Sequence, residues 1–305
     1  MTATSASIRA IVTVPPYADF IAEVAAHPIV CGLRLNTVMP IKSGTRAQRL
    51  EHLASIGRAA GKPLWVDLKG RQLRVAEAAI PPFTSVRLSH RLSVNTPCDA
   101  FFSDGREHAR VVEVDGDRLI LEDGPRRLVG PGESVNVVDP SLVIEGTLTQ
   151  TDRDYLADMR ALGLRHVMLS YVERAEDAAE VRALLPGAEV VQKIETQAGL
   201  RLAEAGGAAH GRLMAARGDL YVEVLEPHRV LDATRRIVRA DPDAIVASRL
   251  FASLARHPVP ECADLGDAAW LLEIGYRTFM LGDEVCLRRG SVVAALNLLE
   301  AIAGA

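Results

Sequence analysis

Two short stretches carry charged residues at spacings that suit a site for an anionic substrate. Lys193 and Glu195 lie two positions apart near the end of a run rich in β-branched residues. Alternation along a strand would place both side chains on the same side. Asp219 follows Gly218 at the end of the next such run. A glycine there lets the backbone turn sharply, so that its N–H groups can point at an anion.

The carboxylates of Glu195 and Asp219 also predict a metal site. Two carboxylates with substrate oxygens and water suit Mg²⁺ or Mn²⁺, because both ions prefer hard oxygen ligands. A cation held there would polarise a 2-oxo acid, and Lys193 would lie near the oxygen that becomes an enolate. The spacing alone leaves a second interpretation open, in which Lys193, Glu195 and Asp219 form a solvated salt bridge.

These residues must be positioned by a repeat of strands and helices. β-Branched runs predict eight strands at Ile8–Val14, Val30–Asn36, Leu64–Asp67, His166–Ser170, Glu189–Ile194, Leu213–Arg217, Ala244–Ser248 and Thr278–Gly282. Helical periodicity predicts helices at Tyr17–Ala26, Arg46–Ala60, Gln150–Leu162, Ala175–Leu185, Ala198–Ala205, Pro227–Arg239, Leu265–Ile274 and Val292–Ile302. The alternation indicates parallel strands. Eight units predict an α/β fold, the (β/α)8 TIM barrel, with its active site at the C-terminal strand ends.

The third unit of the repeat is interrupted between Asp67 and Gln150. His108–Val114 and Arg118–Glu122 alternate with period two and are separated by a turn signal, Asp115-Gly116-Asp117. We predict a small all-β domain at residues 75–143, inserted into a barrel formed by residues 1–74 and 144–305. Such an insertion would lie above the C-terminal mouth of the barrel and act as a lid that excludes water.

The composition narrows the class of protein. The chain has 305 residues, 49% hydrophobic and 24% charged, with a net charge of -4, and no basic run that would favour nucleic acid. No apolar stretch is long enough to cross a membrane, and the N-terminus lacks the pattern of a signal peptide. We therefore expect a cytoplasmic protein that binds small molecules. The four cysteines lack the spacing of a metal site.

Several motifs resemble those of one family in the same order along the chain. Residues 191–199 read VQKIETQAG and residues 213–223 read LMAARGDLYVE, like the two best-known signatures of the pyruvate kinase family. Residues 33–36 (LRLN), residues 67–74 (DLKGRQLR) and Ser170-Tyr171 resemble the ends of the family's second, third and fourth strands. The resemblance implies the same barrel with its inserted β-domain.

The resemblance also implies roles for individual residues. Lys193 would stabilise the enolate, while Glu195 and Asp219 would bind Mg²⁺. The remaining roles that it implies are backbone N–H contacts to the substrate carboxylate from Ala216, Gly218 and Asp219, phosphate contacts from Arg34 and Arg74, and a place near the monovalent-cation site for Asp67 and Asn36. The resemblance favours a homodimer over a tetramer.

Departures from the family pattern bear on the reaction. Val38 and Met39 stand where the family has a serine and a histidine, so we expect the K⁺ site to be incomplete. Glu133 stands near the place of a lysine that the family's β-domain supplies, and loss of a cation weakens a phosphoryl-transfer site. The sequence ends at Ala305, after the eighth predicted helix, so we expect no counterpart of the family's C-terminal domain.

Ser248 and Arg249 are candidates for roles in catalysis and specificity. Ser248 keeps a hydroxyl where the family has a threonine and could relay a proton. Arg249 could grip a second anionic group such as a carboxylate, and Arg71 with the shortened lid hints at a dicarboxylate partner. Asp283, after the eighth strand, is expected to cap the last helix rather than act as an acid or base.

These features together favour an enzyme that makes a pyruvate enolate and gives it a carbon electrophile or a proton. An aldolase, a lyase or a 2-oxo acid decarboxylase would fit. Two alternatives stay open. One is a minimal pyruvate kinase or another phosphotransferase that uses phosphoenolpyruvate, and the other is a non-catalytic sensor of 2-oxo acids.

Overall fold

The computed structural model describes residues 8–103, 105–224 and 226–304. In chain order its strands are β1 (Arg9–Thr13), β2 (Val30–Asn36), β3 (Leu64–Leu68), β4 (Ser85–Arg87), β5 (Leu92–Ser93), β6 (Cys98–Phe102), β7 (Glu107–Asp115), β8 (Arg118–Leu121), β9 (Val135–Val137), β10 (Val143–Ile144), β11 (His166–Leu169), β12 (Glu189–Ile194), β13 (Arg212–Ala216), β14 (Ile245–Ala247) and β15 (Thr278–Leu281). Among the described residues, eight of these strands close a barrel in the order β1-β15-β14-β13-β12-β11-β3-β2. All eight neighbouring pairs are parallel. The predicted TIM barrel is confirmed, and the eight predicted strands end within one residue of the observed ones.

Alternation along the strands separates the two faces of the barrel wall. On β3, Leu64, Val66 and Leu68 pack against the surrounding helices, whereas Trp65 joins the cluster inside the barrel. Asp67 shares the inner face with Trp65 and lies at the C-terminal end of the strand. On β12 the same alternation puts Val191 inside and Lys193 above it. The apolar interior thus ends in charged residues at one mouth.

The helices form the outer layer. In chain order they are α1 (Ile21–Ala25), α2 (Arg46–Ala59), α3 (Gln150–Ala161), α4 (Ala175–Leu184), α5 (Gln197–Glu204), α6 (Arg217–Glu223), α7 (Arg229–Ala240), α8 (Cys262–Glu273), α9 (Asp283–Cys286) and α10 (Arg289–Gly304), with 3-10 turns at Gly207–His210 and Ala252–Ala255. Thr45 and Thr149 cap α2 and α3, each with its hydroxyl accepting from a backbone N–H of the first turn. None of the described helices is long and apolar enough to cross a membrane.

Two local predictions were wrong. The first helix was expected at Tyr17–Ala26 but begins only at Ile21, because the preceding residues form a turn in which Ala18 N–H donates to Pro15 O. The strand predicted at Leu213–Arg217 ends at Ala216, and Arg217 starts the short helix α6. The guanidinium of Arg217 binds Asp267 on α8 and the backbone O of Ser248.

Strands β4 to β10 form the all-β segment between β3 and β11. Five of them make an antiparallel sheet in the order β4-β8-β7-β6-β9, and β5 pairs with β10. The segment has its own apolar cluster, centred on Phe102, Ala100 and Val111, which is separate from the barrel core. This inserted sheet follows the third strand as predicted. The boundaries at residues 75 and 143 stay a prediction.

Candidate active site at the mouth of the barrel

Lys193 lies at the centre of a buried polar cluster. Its Nζ donates to Ser170 Oγ at 2.7 Å and lies 3.2 Å from Glu195 Oε1 and 3.4 Å from Asp67 Oδ1. Burial opposes the charge on the ammonium group, but the Asp67 and Glu195 carboxylates outweigh it and raise the pKa of Lys193. Lys193 is therefore a fixed, protonated donor at the end of the barrel interior.

Asp67 is fully buried and is surrounded by cations. Besides Lys193, it accepts from Arg34 Nε at 2.9 Å and lies 3.7 Å from Lys69 Nζ. Burial would raise its pKa, but Lys193, Lys69 and Arg34 together hold it well below its usual range. The pKa of Lys69 is lowered to about 7, because burial and the nearby cations, Arg74 among them, outweigh the pull of Asp67.

Glu195 and Asp219 lie close enough to influence each other electrostatically. Glu195 Oε2 accepts from the backbone N–H of Tyr171 at 2.8 Å, and Asp219 Oδ2 accepts from Gln72 Nε2 at 2.9 Å. The two side chains are buried, and burial raises the pKa of Glu195 to about 7 although Lys193 lowers it. Repulsion from Asp219 contributes to this rise. The two carboxylates therefore interact electrostatically rather than facing separate regions of solvent.

This pair of carboxylates fits a divalent cation of the Mg²⁺ type. The donors are hard oxygens, and a cation between them would relieve the repulsion that burial strengthens. Within residues 8–103, 105–224 and 226–304, no group of three or more His, Cys, Asp or Glu side chains could hold a metal ion. Substrate oxygens and water would therefore have to complete the coordination, which is usual for Mg²⁺.

The inserted sheet reaches this mouth through Asn136 on β9. Its Nδ2 lies 2.5 Å from the Tyr171 hydroxyl, 3.1 Å from Glu223 Oε1 and 3.2 Å from Asp219 Oδ1. Burial raises the pKa of Glu223 to about 8, although the hydrogen bond from Asn136 lowers it. Asn136, Tyr171 and Glu223 were not predicted as site residues, because these contacts join the inserted sheet to two distant parts of the barrel.

Arg34 lies at the mouth, but its donors are already used within the protein. It bonds to Asp67 through Nε and Nη2, to Thr13 Oγ1 at 2.8 Å and to Asp283 Oδ1 at 3.3 Å. Asp283 also accepts from Asn36 Nδ2 at 2.8 Å. The expectation that Asp283 caps the last helix was wrong, because its carboxylate is turned towards Arg34 and Asn36 at the barrel mouth.

Arg74, Ala216 and Gly218 surround the Asp219 side of the mouth. Arg74 donates to Gln72 Oε1 and to the backbone O of Gly132, and its Nε is buried without a partner among the described residues.

Ala216 precedes the first turn of α6 and Gly218 lies within it. The prediction of a sharp turn at Gly218 was wrong, because the backbone of this residue is helical. A Cβ at this position would make ordinary van der Waals contact with Ser248, at 3.4 Å from its Oγ.

Ser248 and Arg249 follow β14 with left-handed backbones, at φ values of 70° and 60°. Such conformations disfavour residues with a Cβ and often occur at functional sites. Ser248 faces Gly218, one residue before Asp219. The exposed Arg249 lies over the Tyr221 ring, with its Cζ 4.2 Å from the ring centroid, and forms no ion pair with any residue that the structure describes.

Two other charged residues do not belong to the mouth. Arg71 was expected to help bind an anionic partner, but it is buried in a two-pronged ion pair with Asp177 at 2.5 and 2.8 Å. It therefore ties the end of β3 to α4. Glu133, near the place where the family has a lysine, is held by Arg127 through both carboxylate oxygens and by the Ser103 hydroxyl.

A comparison with models of protein families identifies the family to which the barrel belongs. A family model described as pyruvate kinase, barrel domain, matches residues 89–288, which is more than half of the chain. The chain belongs to the pyruvate kinase family. This confirms the resemblance carried by the Lys193–Glu195 and Asp219 motifs.

Individual members of the pyruvate kinase family are moderately similar to this chain in sequence. A pyruvate kinase from Agrobacterium vitis is 33% identical over 192 residues, covering 61% of this chain and 39% of that protein. A pyruvate kinase from Methylorubrum extorquens is 30% identical over 267 residues, covering 78% and 55%. A third, from Thermoplasma acidophilum, is 28% identical over 271 residues, covering 81% and 48%. The chain thus spans about half the length of these relatives.

Proposed function

We propose that this chain catalyses the reversible formation of an enolate from pyruvate or a closely related 2-oxo acid. The observation that carries the proposal is the position of Lys193, whose Nζ is fixed between Asp67, Ser170 and Glu195. A preorganised ammonium group in a buried site stabilises negative charge far better than one in water. Charge that develops on the keto oxygen of a bound substrate would meet this group.

The remaining roles follow from the arrangement around Lys193. Glu195 and Asp219 would hold Mg²⁺ or Mn²⁺, which supplies Lewis-acid polarisation of the keto and carboxylate oxygens when it is bound. The backbone N–H groups at Ala216, Gly218 and Asp219 would receive the substrate carboxylate. Ser248, beside Gly218, would relay the proton that leaves or joins the methylene carbon.

For the reaction completed on the enolate, we propose phosphoryl transfer that involves phosphoenolpyruvate. The three similar proteins described above are all named pyruvate kinase. The cationic side of the mouth supports this assignment, because Arg34 and Lys69 lie in one charge network around Asp67 and Arg74 lies close enough to Lys69 to lower its pKa. Phosphoryl transfer depends mainly on positioning and on stabilisation of phosphate charge.

Carbon–carbon bond formation or cleavage is the second candidate. The observation in its favour is Glu133, whose carboxylate is bound by Arg127 and Ser103 in the inserted sheet. A cation missing from this place weakens the case for phosphoryl transfer, because that reaction depends on stabilisation of phosphate charge. An aldolase, lyase or decarboxylase would need only the enolate half of the site.

Two measurements separate these possibilities. Solvent exchange of the pyruvate methyl protons with Mg²⁺ present tests enolate formation, and exchange no faster than in the Lys193→Met variant would favour a sensor. An assay of pyruvate formation from phosphoenolpyruvate, ADP and Mg²⁺ tests phosphoryl transfer. Exchange without phosphoryl transfer would move the assignment to carbon–carbon chemistry, and release of pyruvate from oxaloacetate or a 4-hydroxy-2-oxo acid would then identify it.

A further inference from the structure

Tyr171 is linked to both predicted metal ligands, although the proposed reaction gives it no role. Its backbone N–H donates to Glu195 Oε2 at 2.8 Å. Its hydroxyl lies 2.5 Å from Asn136 Nδ2, and the same amide nitrogen lies 3.2 Å from Asp219 Oδ1. One residue therefore joins the carboxylate of β12, the carboxylate of α6 and the inserted sheet.

The backbone of Tyr171 adopts a conformation that needs support from its surroundings. Its φ of 54° lies in the left-handed region, which is disfavoured for residues with a Cβ. Tyr171 is only 5% exposed, so the packed aromatic ring helps to hold this conformation. The left-handed turn directly after β11 directs the N–H of Tyr171 to the Glu195 carboxylate, whereas the N–H of Ser170 still pairs with Leu68 O.

The hydroxyl of Tyr171 suits a link between an amide donor and a carboxylate acceptor. A phenol can accept a hydrogen bond at its oxygen and donate its hydrogen at the same time. Its oxygen accepts from Asn136, which leaves the phenolic hydrogen for one of the neighbouring carboxylates.

We propose that Tyr171 is a positioning residue that holds Glu195 and Asp219 in the arrangement that a shared cation requires, and that Asn136 makes this arrangement depend on contact with the inserted sheet. The proposal rests on the proposed function, because it takes Glu195 and Asp219 as metal ligands. Groups that orient metal ligands in this way commonly change metal affinity when they are altered. The structure thus assigns the inserted sheet a part in metal binding in addition to covering the mouth.

The test is the affinity of the full chain for Mn²⁺, measured by electron paramagnetic resonance of the free ion. Tyr171→Phe removes the hydroxyl and keeps the backbone N–H that binds Glu195. We expect it to weaken Mn²⁺ binding by about tenfold, and Asn136→Ala to have a similar effect. Because the two groups act together, the double variant should bind no more weakly than the weaker single variant.

A matched control is Tyr276→Phe. Tyr276 is fully buried and its hydroxyl donates to the backbone O of Thr234 at 2.8 Å, away from the mouth. This control loses a buried tyrosine hydrogen bond but should keep the Mn²⁺ affinity of the parent chain. A second readout needs no metal: Tyr171→Phe should speed hydrogen exchange at Val135–Val137 of β9, whereas Tyr276→Phe should not.

The outcomes separate this proposal from the one on which it rests. If the parent chain binds Mn²⁺, Glu195→Gln does not, and Tyr171→Phe binds within about twofold of the parent, the role of Tyr171 is refuted and the metal site stands. Fully additive losses in the Tyr171 and Asn136 variants would also refute the link between them. If the parent chain binds no Mn²⁺, both proposals are overturned.

Discussion

The two halves of the barrel mouth are built in different ways. The half around Asp67 is cationic, and its members Arg34, Lys69 and Lys193 lie on or directly after barrel strands that are hydrogen-bonded on both sides. The half around Asp219 is anionic and depends on the short helix α6 and on Asn136 from the inserted sheet. The first half is therefore preorganised by the barrel, whereas the second forms fully only when two separate segments meet.

The unsatisfied buried atoms show the same difference. At the mouth, Asn136 Oδ1 and Arg74 Nε are buried without a hydrogen-bond partner among the described residues, and both lie on the Asp219 side. A buried polar atom without a partner costs on the order of 1–3 kcal/mol. The Asp219 half therefore has unmet hydrogen-bonding capacity that a substrate, a metal ion or water could meet, and the Asp67 half has less.

The largest expected effect comes from removing the ammonium group of the preorganised half. Lys193→Met should slow exchange of the pyruvate methyl protons by about a thousandfold, because a fixed electrostatic donor of this kind typically contributes that much. The matched control is Lys62→Met, which removes a half-buried lysine before β3 at the opposite end of the barrel. Exchange in Lys193→Met that stays within about tenfold of the parent would contradict the central role of this half.

The pH dependence of stability tests the contact between the two halves through Glu195, which interacts with both Lys193 and Asp219. Burial raises the pKa of Glu195 from 4.5 to about 7, so the folded chain binds more protons than the unfolded chain between these values. Without divalent metal, the free energy of unfolding should therefore fall as pH rises from 4.5 to about 7. The loss assigned to Glu195 is on the order of 3 kcal/mol at most.

Urea unfolding at several pH values, followed by circular dichroism, would measure this slope. Glu195→Gln should flatten it, because a glutamine has no proton to lose. Addition of Mg²⁺ or Mn²⁺ at the high end of the window should restore stability to the parent chain but not to the variant. A slope that is the same in both chains would show that Glu195 is not held in a costly charged state.

Arg249 offers a smaller effect at the edge of the Asp219 half. Its guanidinium is exposed over the Tyr221 ring, two residues along α6 from Asp219. Arg249→Met should leave methyl-proton exchange of pyruvate unchanged and raise the KM of a second, anionic substrate about fivefold, as for the loss of an exposed charge contact. An equal loss of exchange would place Arg249 in the enolate half of the reaction instead.

The smallest expected effect concerns monovalent cations. Asp67 already has three cationic neighbours, Arg34, Lys69 and Lys193, so its charge is compensated within the protein. We expect K⁺ in place of Na⁺ at constant ionic strength to change turnover by less than about twofold, since a neutralised carboxylate attracts a further cation weakly. Strong activation by K⁺ would show that the Asp67 network opens to admit an ion.

Much of the barrel half could be predicted because its signals are local. Alternation placed Lys193 and Glu195 on one side of a strand, and the ends of all eight strands followed from β-branched runs and their flanking residues. The charged residues at the strand ends then converge because parallel strands in a barrel share one mouth. The sequence also identified the inserted sheet from its turns and its period of two.

The Asp219 half was harder to predict because it depends on contacts between distant residues. Asn136 is 83 positions from Asp219, and nothing in the local pattern indicates that the two meet. Gly218 was interpreted as a turn residue, but helix α6 starts at Arg217 and the glycine lies within its first turn. Arg71 was expected to favour a dicarboxylate partner, but its guanidinium is bound by the distant Asp177.

The bonds of Arg34 have a consequence for how this family member can change. Its guanidinium, carried on the second strand, bonds to Thr13 of the first strand and to Asp283 after the last one, while Thr13 Oγ1 donates to Leu281 O. Arg34 thus links the strands at the place where the barrel wall closes. A phosphate bound as proposed would contact the same residue. Substitutions of this arginine that alter the chemistry would also weaken the contacts that close the barrel. Evolutionary change towards new reactions should therefore begin with residues on the Asp219 side.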